Sequence, residues 1–382
     1  MIRNSNKRRI KTIKRPPFEC IALVLQGGGA LGSYQAGVYE ALAEVALYPD
    51  WIAGTSIGAI NSAIIAGNPV EERVAQLRFF WEKVTQNKLL DWSIPFVLNH
   101  VGQDTFNQTS SWLSLMKGIP DFFIPRPLTP FFYPEGTLEA TSFYDLNPLK
   151  STLEECVDFD RINKEPVRFS VGAVNVSSGN FIYFDNKKHI IRVEHILASC
   201  SLPPSFAPTE IDGEFYWDGG LISNTPLEWV VQGETRQDTL AFQVDLWNAQ
   251  GAVPGTILET LTRQKEIQYS SRTRANTQHF QQLQSMRCAL AELLAKLPPD
   301  LSASKEAALL KEMADHKVYN IVQLIHRPEH YEGHSKDYEF SVLSLKEHWD
   351  AGYKDTVKTL KFPKIFQRPN HEEGVLTFDL TK

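Results

Sequence analysis

The residue with the clearest chemical meaning in this sequence is Ser56, in the pentapeptide Gly54-Thr55-Ser56-Ile57-Gly58. The pentapeptide joins a short apolar run to a stretch of small residues with helical character. A serine on a sharp strand-to-helix turn exposes its hydroxyl, and glycines on both sides leave room for the neighbouring strand and helix. The N-terminus of the helix also directs its positive dipole end at the serine. The pattern predicts a nucleophile at Ser56.

A second cluster of glycines comes after the apolar run at residues 21–25 and comprises Gly27, Gly28, Gly29 and Gly32. Two interpretations of this loop compete. A strand, a glycine loop and a helix form the dinucleotide site of a Rossmann unit, but the acidic residue that binds the ribose is missing after the next strand. Alternatively, consecutive glycines let main-chain N–H groups point at the charge that develops on a carbonyl oxygen, which makes an oxyanion hole.

A base for the serine could come from Asp218, which comes after an aromatic run and precedes Gly219 and Gly220. Taken alone, Asp-Gly-Gly is an ordinary turn sequence, because both residue types are favoured in turns. A histidine is the alternative base. Of the ten histidines, His195 lies between Ser56 and Asp218, whereas the α/β-hydrolase order puts the histidine last. Order alone does not exclude His326, His334 and His348, which follow Asp218. Nothing around any of them forms a recognisable site, so a structural role is the simpler interpretation of each.

The order of the three motifs, GGGALG, then GTSIG, then DGG, resembles the signature of the patatin-like phospholipase family. The resemblance covers roughly residues 18–232 and includes residues 198–208, which are similar to the proline-containing loop before the aspartate strand of that family. It implies a fold of the α/β class, a patatin-like three-layer α/β/α sandwich with a mainly helical C-terminal extension.

The resemblance also implies roles for individual residues. Ser56 is then the nucleophile and Asp218 the general base of a dyad without histidine, and the glycines at 27–29 supply oxyanion donors. The N–H group of Ile57 is a further candidate donor by nucleophile-elbow logic. The sequence departs from the family where Leu31 stands in place of the usual Arg or Lys. The departure removes a positive charge and makes a preference for anionic headgroups harder to assume.

The activity that the resemblance implies is a serine lipid acyl hydrolase of the phospholipase A or lysophospholipase type, acting through an acyl-Ser56 intermediate on an acyl lipid substrate. It requires no cofactor. Two alternatives stay open. An acyltransferase would use the same dyad and pass the acyl group to an alcohol, whereas a lipid- or nucleotide-binding module would keep the fold without the chemistry.

Composition indicates the tail and the insertion, and the resemblance implies the bounds of the domain and its extension. Residues 1–17 are predicted to be a disordered basic tail, 18–232 the acyl hydrolase domain, 89–134 an insertion rich in aromatic residues and proline, and 233–382 the last strands and the helical extension. The tail is either a solvated arm or an electrostatic contact to anionic lipid, worth about 1 kcal/mol per basic residue. The insertion is either packed against the domain or a lid or membrane-facing cap.

Length, composition and charge favour an intracellular enzyme, because 382 residues with 42% hydrophobic content can build a core. The formal net charge of −6 gives no reason to expect nucleic acid as a partner. The four cysteines lack metal-ligand spacing and suit a reducing compartment. We expect no metal, no signal peptide and no membrane span, and a cytoplasmic protein with peripheral membrane contact as an option.

Hydrophobic patterning predicts strands within the domain and beyond it, at residues 21–25, 51–53, 168–173, 181–184, 214–217, 240–246 and 318–325. A long helix is predicted after Pro254 and extends to about Leu297. Its apolar face is predicted from spacings of three and four residues and consists of Phe280, Leu283, Met286, Leu290 and Leu294. A shorter helix is expected at residues 304–314.

Overall fold

The structure is a computed structural model that describes residues 12–85, 114, 116–233, 236–328 and 336–381. Of residues 271–275 only the backbone is described. The strands are β1 (Cys20–Leu25), β2 (Trp51–Gly54), β3 (Ile124–Pro125), β4 (Tyr144–Asp145), β5 (Arg168–Asn175), β6 (Phe181–Asp185), β7 (Thr209–Ile211), β8 (Glu214–Asp218), β9 (Thr239–Asp245), β10 (Tyr319–Ile325) and β11 (Val375–Asp379).

The helices are α1 (Ser33–Glu44), α2 (Ile57–Ala66), α3 (Arg73–Thr85), α4 (Asn147–Cys156), α5 (Phe159–Lys164), α6 (Val193–Cys200), α7 (Leu227–Gln232), α8 (Ile257–Ala295), α9 (Pro299–Ser302), α10 (Lys305–Met313) and α11 (Val342–Leu360). Short 3₁₀ helices are found at Gly29–Gly32, Pro130–Phe132, Leu138–Thr141, Gly219–Leu221, Lys336–Tyr338 and Pro363–Phe366.

Nine of the described strands form one sheet in the order β11-β10-β9-β1-β2-β5-β8-β7, with β6 also paired to β5, and β3 and β4 form a separate two-stranded sheet. From β11 to β5 all neighbours are parallel, whereas β6 and β8 pair with β5 in antiparallel fashion and β7 pairs likewise with β8. The loops after β1 and β2 therefore leave the same edge of the sheet side by side.

Side chains of β1 alternate between two apolar cores. Ile21, Leu23 and Leu25 belong to the larger core, which α1, α2 and α11 cover. Ala22 and Val24 belong to a smaller core on the opposite face, under α7 and α8. Helices thus cover both faces of a mainly parallel sheet, which is the three-layer α/β/α sandwich that the resemblance implies.

Each of the seven predicted strands is present, with bounds that differ from the prediction by two residues at most. The sequence does not predict β7 and β11, which are the two outermost strands of the sheet order. β7 has only three residues, which is too few for a recognisable alternation.

The predicted apolar face of α8 is partly wrong. Met286 is 69% exposed, and the buried face instead carries Phe280, Gln284 and Cys288, which repeat every four residues. The Gln284 side chain donates a hydrogen bond of 2.6 Å to the Asp315 carboxylate. A polar side chain that finds a hydrogen-bond partner can occupy a core position, and a search for apolar residues alone overlooks it.

The C-terminal helix α11 packs against α1 through two glycines. A Cβ atom on Gly37 would lie 2.0 Å from the carbonyl oxygen of Trp349, and one on Gly352 would lie 2.0 Å from the carbonyl oxygen of Tyr34. The Trp349 indole N–H also donates a hydrogen bond to Glu40 on α1. The two helix backbones therefore touch directly, and the C-terminal part of the chain is built into the body of the sandwich.

We expect Gly352→Ala to destabilise the protein by about 1–3 kcal/mol or more, because the new methyl group meets main-chain atoms that cannot rotate away. The measurement is the free energy of unfolding in urea. Gly255→Ala is the matched control, since the nearest atom to its Cβ would lie 3.6 Å away. Equal stabilities for the two variants would contradict the close contact of α1 and α11.

Part of the predicted N-terminal tail is ordered. Residues 12–17 run along the surface of the domain, where the Ile13 N–H donates to the carbonyl oxygen of Val45 at 3.0 Å. The Arg15 guanidinium pairs with the Asp50 carboxylate at 2.6 Å. Residues 12–17, which belong to the predicted tail, thus contact the domain through both main chain and side chains. Residues 1–11 lie outside the described part.

Two kinds of feature are absent from the part of the chain that the structure describes. None of the helices there combines the length and the apolar content needed to cross a lipid bilayer. No group of three or more His, Cys, Asp and Glu side chains there is arranged to hold a metal ion.

Candidate active site

Ser56 stands on the tight turn between β2 and α2. Its backbone adopts φ 56° and ψ −126°, and a positive φ is uncommon for a residue other than glycine. A Cβ atom on Gly54 would lie 2.2 Å from the carbonyl oxygen of Gly58, and one on Gly58 would lie 2.2 Å from that of Leu25. The motif needs both glycines because strand and helix backbones touch at this turn.

A second serine holds this turn in place. The Ser56 N–H donates a hydrogen bond of 2.9 Å to the hydroxyl of Ser199, which in turn donates one of 2.7 Å to the carbonyl oxygen of Gly172. Ser199 is fully buried at the end of α6. Residues 198–208 stand out in the sequence as a loop, but Ser199 itself does not, since a lone serine carries no signal for this role.

Asp218 ends β8 and lies opposite Ala173 of β5. It is only 2% exposed, and its carboxylate accepts a hydrogen bond of 2.7 Å from the Gly220 N–H. Burial raises the pKa of Asp218 to about 7, although the interactions with the Gly220 N–H and the Ser56 side chain oppose the shift. A carboxylate with a pKa near neutrality, in contact with a serine hydroxyl, can accept its proton.

The glycine turn after Asp218 lies close to the serine turn. A Cβ atom on Gly219 would lie 2.6 Å from the carbonyl oxygen of Gly172 and 3.0 Å from the Thr55 side chain. One on Gly220 would meet the Asn224 side chain at 3.1 Å. The two turns therefore approach each other through positions without side chains.

The N–H group of Gly27 is already engaged. It donates to the carbonyl oxygen of Asn224 at 3.1 Å, and the Gly27 carbonyl oxygen accepts from the Asn224 side-chain amide at 3.0 Å and from the Trp247 indole at 2.9 Å. A Cβ atom on Gly27 would lie 3.0 Å from that of Ser56. Gly27 thus adjoins the serine, and its N–H group is engaged with Asn224 in this structure.

Three other N–H groups are candidate donors to a bound oxyanion. Among the described residues, none accepts a hydrogen bond from the N–H groups of Gly28, Gly29 or Ile57. Gly29 has φ +56°, and the main chain of Asp337 occupies the space where its side chain would be, with the Asp337 carbonyl oxygen 2.2 Å from an ideal Cβ. A Cβ atom on Gly32 would lie 2.4 Å from the side chain of Ile57, so the loop lies directly against the N-terminus of α2.

A pocket opens in front of Ser56 and Asp218. Most of its lining is apolar and includes Ile57, Phe122, Phe123, Cys200, Leu202, Phe206 and Phe340. The remaining side chains carry polar groups: Asn224, Trp247, Tyr269, Asp337 and Tyr338. No lysine or arginine of the described residues lines it. A pocket of this composition suits a hydrocarbon chain that leads to a polar reacting group.

The described histidines lie away from this pocket. His195 is buried beneath Phe184, and burial lowers its pKa to about 4 while its Nδ1 atom accepts a hydrogen bond of 2.9 Å from the Arg192 N–H. The rings of His326 and His348 lie 5.0 Å apart, in contact with each other. His334 lies outside the described residues. Asp218, unlike the described histidines, lines the same pocket as Ser56.

The contribution of the C-terminal region to the pocket is not apparent from the sequence. Trp247 comes after β9, Tyr269 lies on α8, and residues 336–340 precede α11. None of them stands in a motif that indicates a role at the pocket, so no local signal could have assigned them to it. The thiol of Cys200 also lines the pocket, and burial raises its pKa well above the ordinary value, which keeps it protonated.

Comparison with known proteins gives two matches to family models. A model described as patatin-like phospholipase matches residues 23–231, and one described as patatin phospholipase matches residues 267–372. The first therefore covers more than half of the chain and includes all three motifs.

Among individual relatives, patatin-like phospholipase domain-containing protein 7 of Rattus norvegicus is 38% identical over 112 residues, which are 28% of this chain and 8% of the rat protein. An uncharacterized NTE family protein of Mycobacterium bovis is 24% identical over 247 residues, 64% of this chain and 55% of that protein. The match thus spans less than two thirds of either relative. The crystal structure of VipD from Legionella pneumophila aligns with 98% of this chain and 77% of its own, at a TM-score of 0.40 and 13% identity.

Proposed function

The chain belongs to the patatin-like phospholipase family, and from that premise we propose that it is a serine lipid acyl hydrolase of the phospholipase A or lysophospholipase type. The observation that carries the proposal is that the Ser56 side chain and the buried Asp218 carboxylate line the same apolar pocket and interact with each other. Family membership supports the substrate class, an acyl lipid, and the pocket lining supports an apolar acyl chain.

In the first half of the reaction, Asp218 takes the proton of the Ser56 hydroxyl while the Ser56 oxygen attacks the ester carbonyl carbon. The tetrahedral intermediate carries its negative charge on the former carbonyl oxygen. The N–H groups of Gly28, Gly29 and Ile57 are the proposed donors to that oxygen, since no described residue accepts from them. Gly27 supports the loop through its two hydrogen bonds with Asn224.

Collapse of the intermediate breaks the ester bond, and the departing alcohol or lysolipid takes the proton that Asp218 holds. An acyl ester on Ser56 remains. In the second half, Asp218 removes a proton from a water molecule, whose oxygen attacks the acyl carbon. The fatty acid leaves, the Ser56 oxygen regains a proton from Asp218, and both side chains return to their starting states.

The alternatives differ in the fate of the acyl enzyme or in whether it forms at all. An acyltransferase would pass the acyl group from Ser56 to an alcohol, so a transacylated product would exceed free fatty acid when an acceptor alcohol is present. A lipid-binding module would form no acyl enzyme. The contact between Ser56 and Asp218 favours an enzyme, since a module that only binds lipid needs no base beside a serine.

The experiment that tests the proposal incubates the purified protein with mixed phospholipid and neutral-lipid vesicles and measures fatty acid and lysolipid by mass spectrometry. A fluorophosphonate probe is applied in parallel. We expect fatty acid release and covalent labelling at Ser56. Absence of both, with correctly folded protein, would favour the binding module.

Peripheral membrane contact forms part of the proposal, through the described end of the insertion. Phe131 and Phe132 lie in a 3₁₀ helix and are 86% and 75% exposed, and the surrounding residues 127–134 contain no charged side chain. The same segment lines the pocket through Phe122 and Phe123. A lipid surface suits this aromatic tip because the tip continues from the wall of the pocket that would receive the lipid. Trp92, Phe96 and Trp112 of the insertion lie outside the described residues.

We expect the double substitution Phe131→Ser with Phe132→Ser to weaken binding to phospholipid vesicles by at least about 10-fold, because each phenylalanine can bury apolar area in the lipid. Hydrolysis of a soluble short-chain ester should stay unchanged. Vesicle sedimentation measures the binding. Ile190→Ser is the control, since Ile190 is 78% exposed in another segment. Equal binding by the double variant and the wild type would exclude this tip as the contact.

A further inference from the structure

Residues 336–340, named here the strap, cross the glycine loop from outside the region that carries the three motifs. The strap begins as the 3₁₀ helix Lys336–Tyr338, whose Asp337 carbonyl oxygen occupies the space beside Gly29. It ends at Phe340, whose ring lies 5.6 Å from that of Phe122 and stacks on Trp81. The strap therefore contacts both the glycine loop and the apolar wall of the pocket.

Two adjacent ion pairs tie the strap to α8. The Lys265 ammonium lies 3.0 Å from each oxygen of the Asp337 carboxylate. The buried Lys336 ammonium lies 3.0 Å from the Glu266 carboxylate. The opposite order of charges on neighbouring positions of α8 and the strap fixes their relative register. Because the side chains are largely shielded from solvent, salt screens these pairs less than pairs at the surface.

The same helix holds the start of the glycine loop. The Gln26 side-chain amide donates a hydrogen bond of 3.2 Å to the carbonyl oxygen of Tyr269 on α8, and its oxygen accepts one of 3.0 Å from the Trp247 N–H. The Trp247 indole contacts the Tyr269 ring at 5.2 Å and lies under the Lys336 ammonium at 5.3 Å. The loop is thus held between α8 and the strap, both of which come from the C-terminal region.

We propose that Lys265 and Asp337 are positioning residues of the candidate active site. Their ion pair holds the main chain of the strap against Gly29 and so fixes the direction in which the Gly28 and Gly29 N–H groups point beside Ser56. The strap contacts the loop at Gly29, because the positive φ and the missing side chain of this residue leave room for the strap main chain. The catalytic consequence rests on the proposed function, whereas the fixed loop conformation does not.

The kinetic test compares Lys265→Met, which keeps the aliphatic stem, with Lys265→Arg, which keeps the charge, in the full chain. Loss of one oxyanion donor costs about 100-fold in rate, so misdirected donors should lower kcat on a soluble short-chain ester by about 10- to 100-fold in Lys265→Met. KM should change by less than about 3-fold, and Lys265→Arg should retain kcat within about 3-fold. Asp337→Asn should match Lys265→Met, and the double variant should lose no more than either single one.

Lys150→Met is the matched control, because Lys150 pairs with Glu194 at 2.9 Å and neither residue lines the pocket. It should leave kcat unchanged. A loss of kcat shared by Lys150→Met, or equal losses in Lys265→Met and Lys265→Arg, would mean that general stability is responsible and would overturn the positioning role.

A second readout separates this inference from the proposed function. Amide hydrogen exchange of residues 26–32 reports how firmly the glycine loop is held, with or without turnover. We expect faster exchange there in Lys265→Met and Asp337→Asn but not in Lys265→Arg or Lys150→Met. Should the wild type hydrolyse no ester, the proposed function fails while this pattern of exchange still supports the strap. Unchanged exchange in Lys265→Met overturns the inference, whatever the activity.

Discussion

Ser56→Ala leaves the protein folded and lowers fatty acid release by about 10⁴-fold or more, because no acyl enzyme can form without the hydroxyl. The change removes one oxygen atom, and alanine meets the same backbone conformation as serine at φ 56°. The Ser56 N–H can still donate to Ser199, since that hydrogen bond involves the main chain. Mass spectrometry of the lipid products measures the loss, and labelling by a fluorophosphonate should disappear with it.

Ser62→Ala is the control for this variant. Ser62 is buried in α2, the helix that begins directly after Ser56, and its hydroxyl has no hydrogen-bond partner among the described residues. We expect full activity and full labelling. Labelling that persists in Ser56→Ala, or that maps to another residue in the wild type, would exclude Ser56 as the nucleophile.

Asp218→Asn has the second largest expected effect, a loss of about 10³-fold in turnover, because an amide has the shape of the carboxylate but cannot take the serine proton. The side-chain oxygen can still accept the hydrogen bond from the Gly220 N–H, so the turn should keep its geometry. Circular dichroism and thermal unfolding check the fold, and hydrolysis of a soluble ester measures turnover.

The pH dependence identifies the base more sharply. Burial raises the pKa of Asp218 to about 7, and the base must be deprotonated to act. We therefore expect kcat/KM of the wild type on a neutral ester to rise with pH, to reach half its maximum near pH 7 and to level off above it. The residual activity of Asp218→Asn should lack this rise with pH, the acid limb of the profile. A limb that persists in that variant would point to a histidine instead, and a limb near pH 4 would mean that Asp218 titrates like an exposed carboxyl group.

The serine turn was predictable because its requirements are local. Gly54 and Gly58 must lack side chains for β2 and α2 to touch, and both glycines lie within five consecutive residues of the sequence. The sequence could predict Asp218 as a candidate base but not its position beside Ser56. Its approach to Ser56 depends on the pairing of β8 with β5, which the sequence pattern does not reveal.

The rest of the site depends on contacts between distant segments. The main-chain carbonyl of Asn224 accepts the hydrogen bond of the Gly27 N–H. Because a main-chain contact places almost no demand on residue type, the sequence does not reveal it. Ser199 and the strap are similar cases, since one serine or one ion pair has no distinctive neighbours in sequence. The sequence thus suggests Gly28 and Gly29 as donors, and they remain a proposal. The hydrogen bond between the Gly27 N–H and Asn224 could be found only in the structure.

The reciprocal glycine contact between α1 and α11 has a consequence for biosynthesis. The residues that it joins are far apart, as in the Glu40–Trp349 hydrogen bond, which spans 309 positions. At about 5–20 residues per second, a ribosome needs about 15–60 s to make that stretch. Until residues 239–245 have been made β1 has no β9 beside it, and until residues 336–340 have been made the glycine loop has no strap over it. A nascent chain therefore carries the serine motif well before it can complete the pocket, and the exposed edge of β1 is the surface that a chaperone would need to cover.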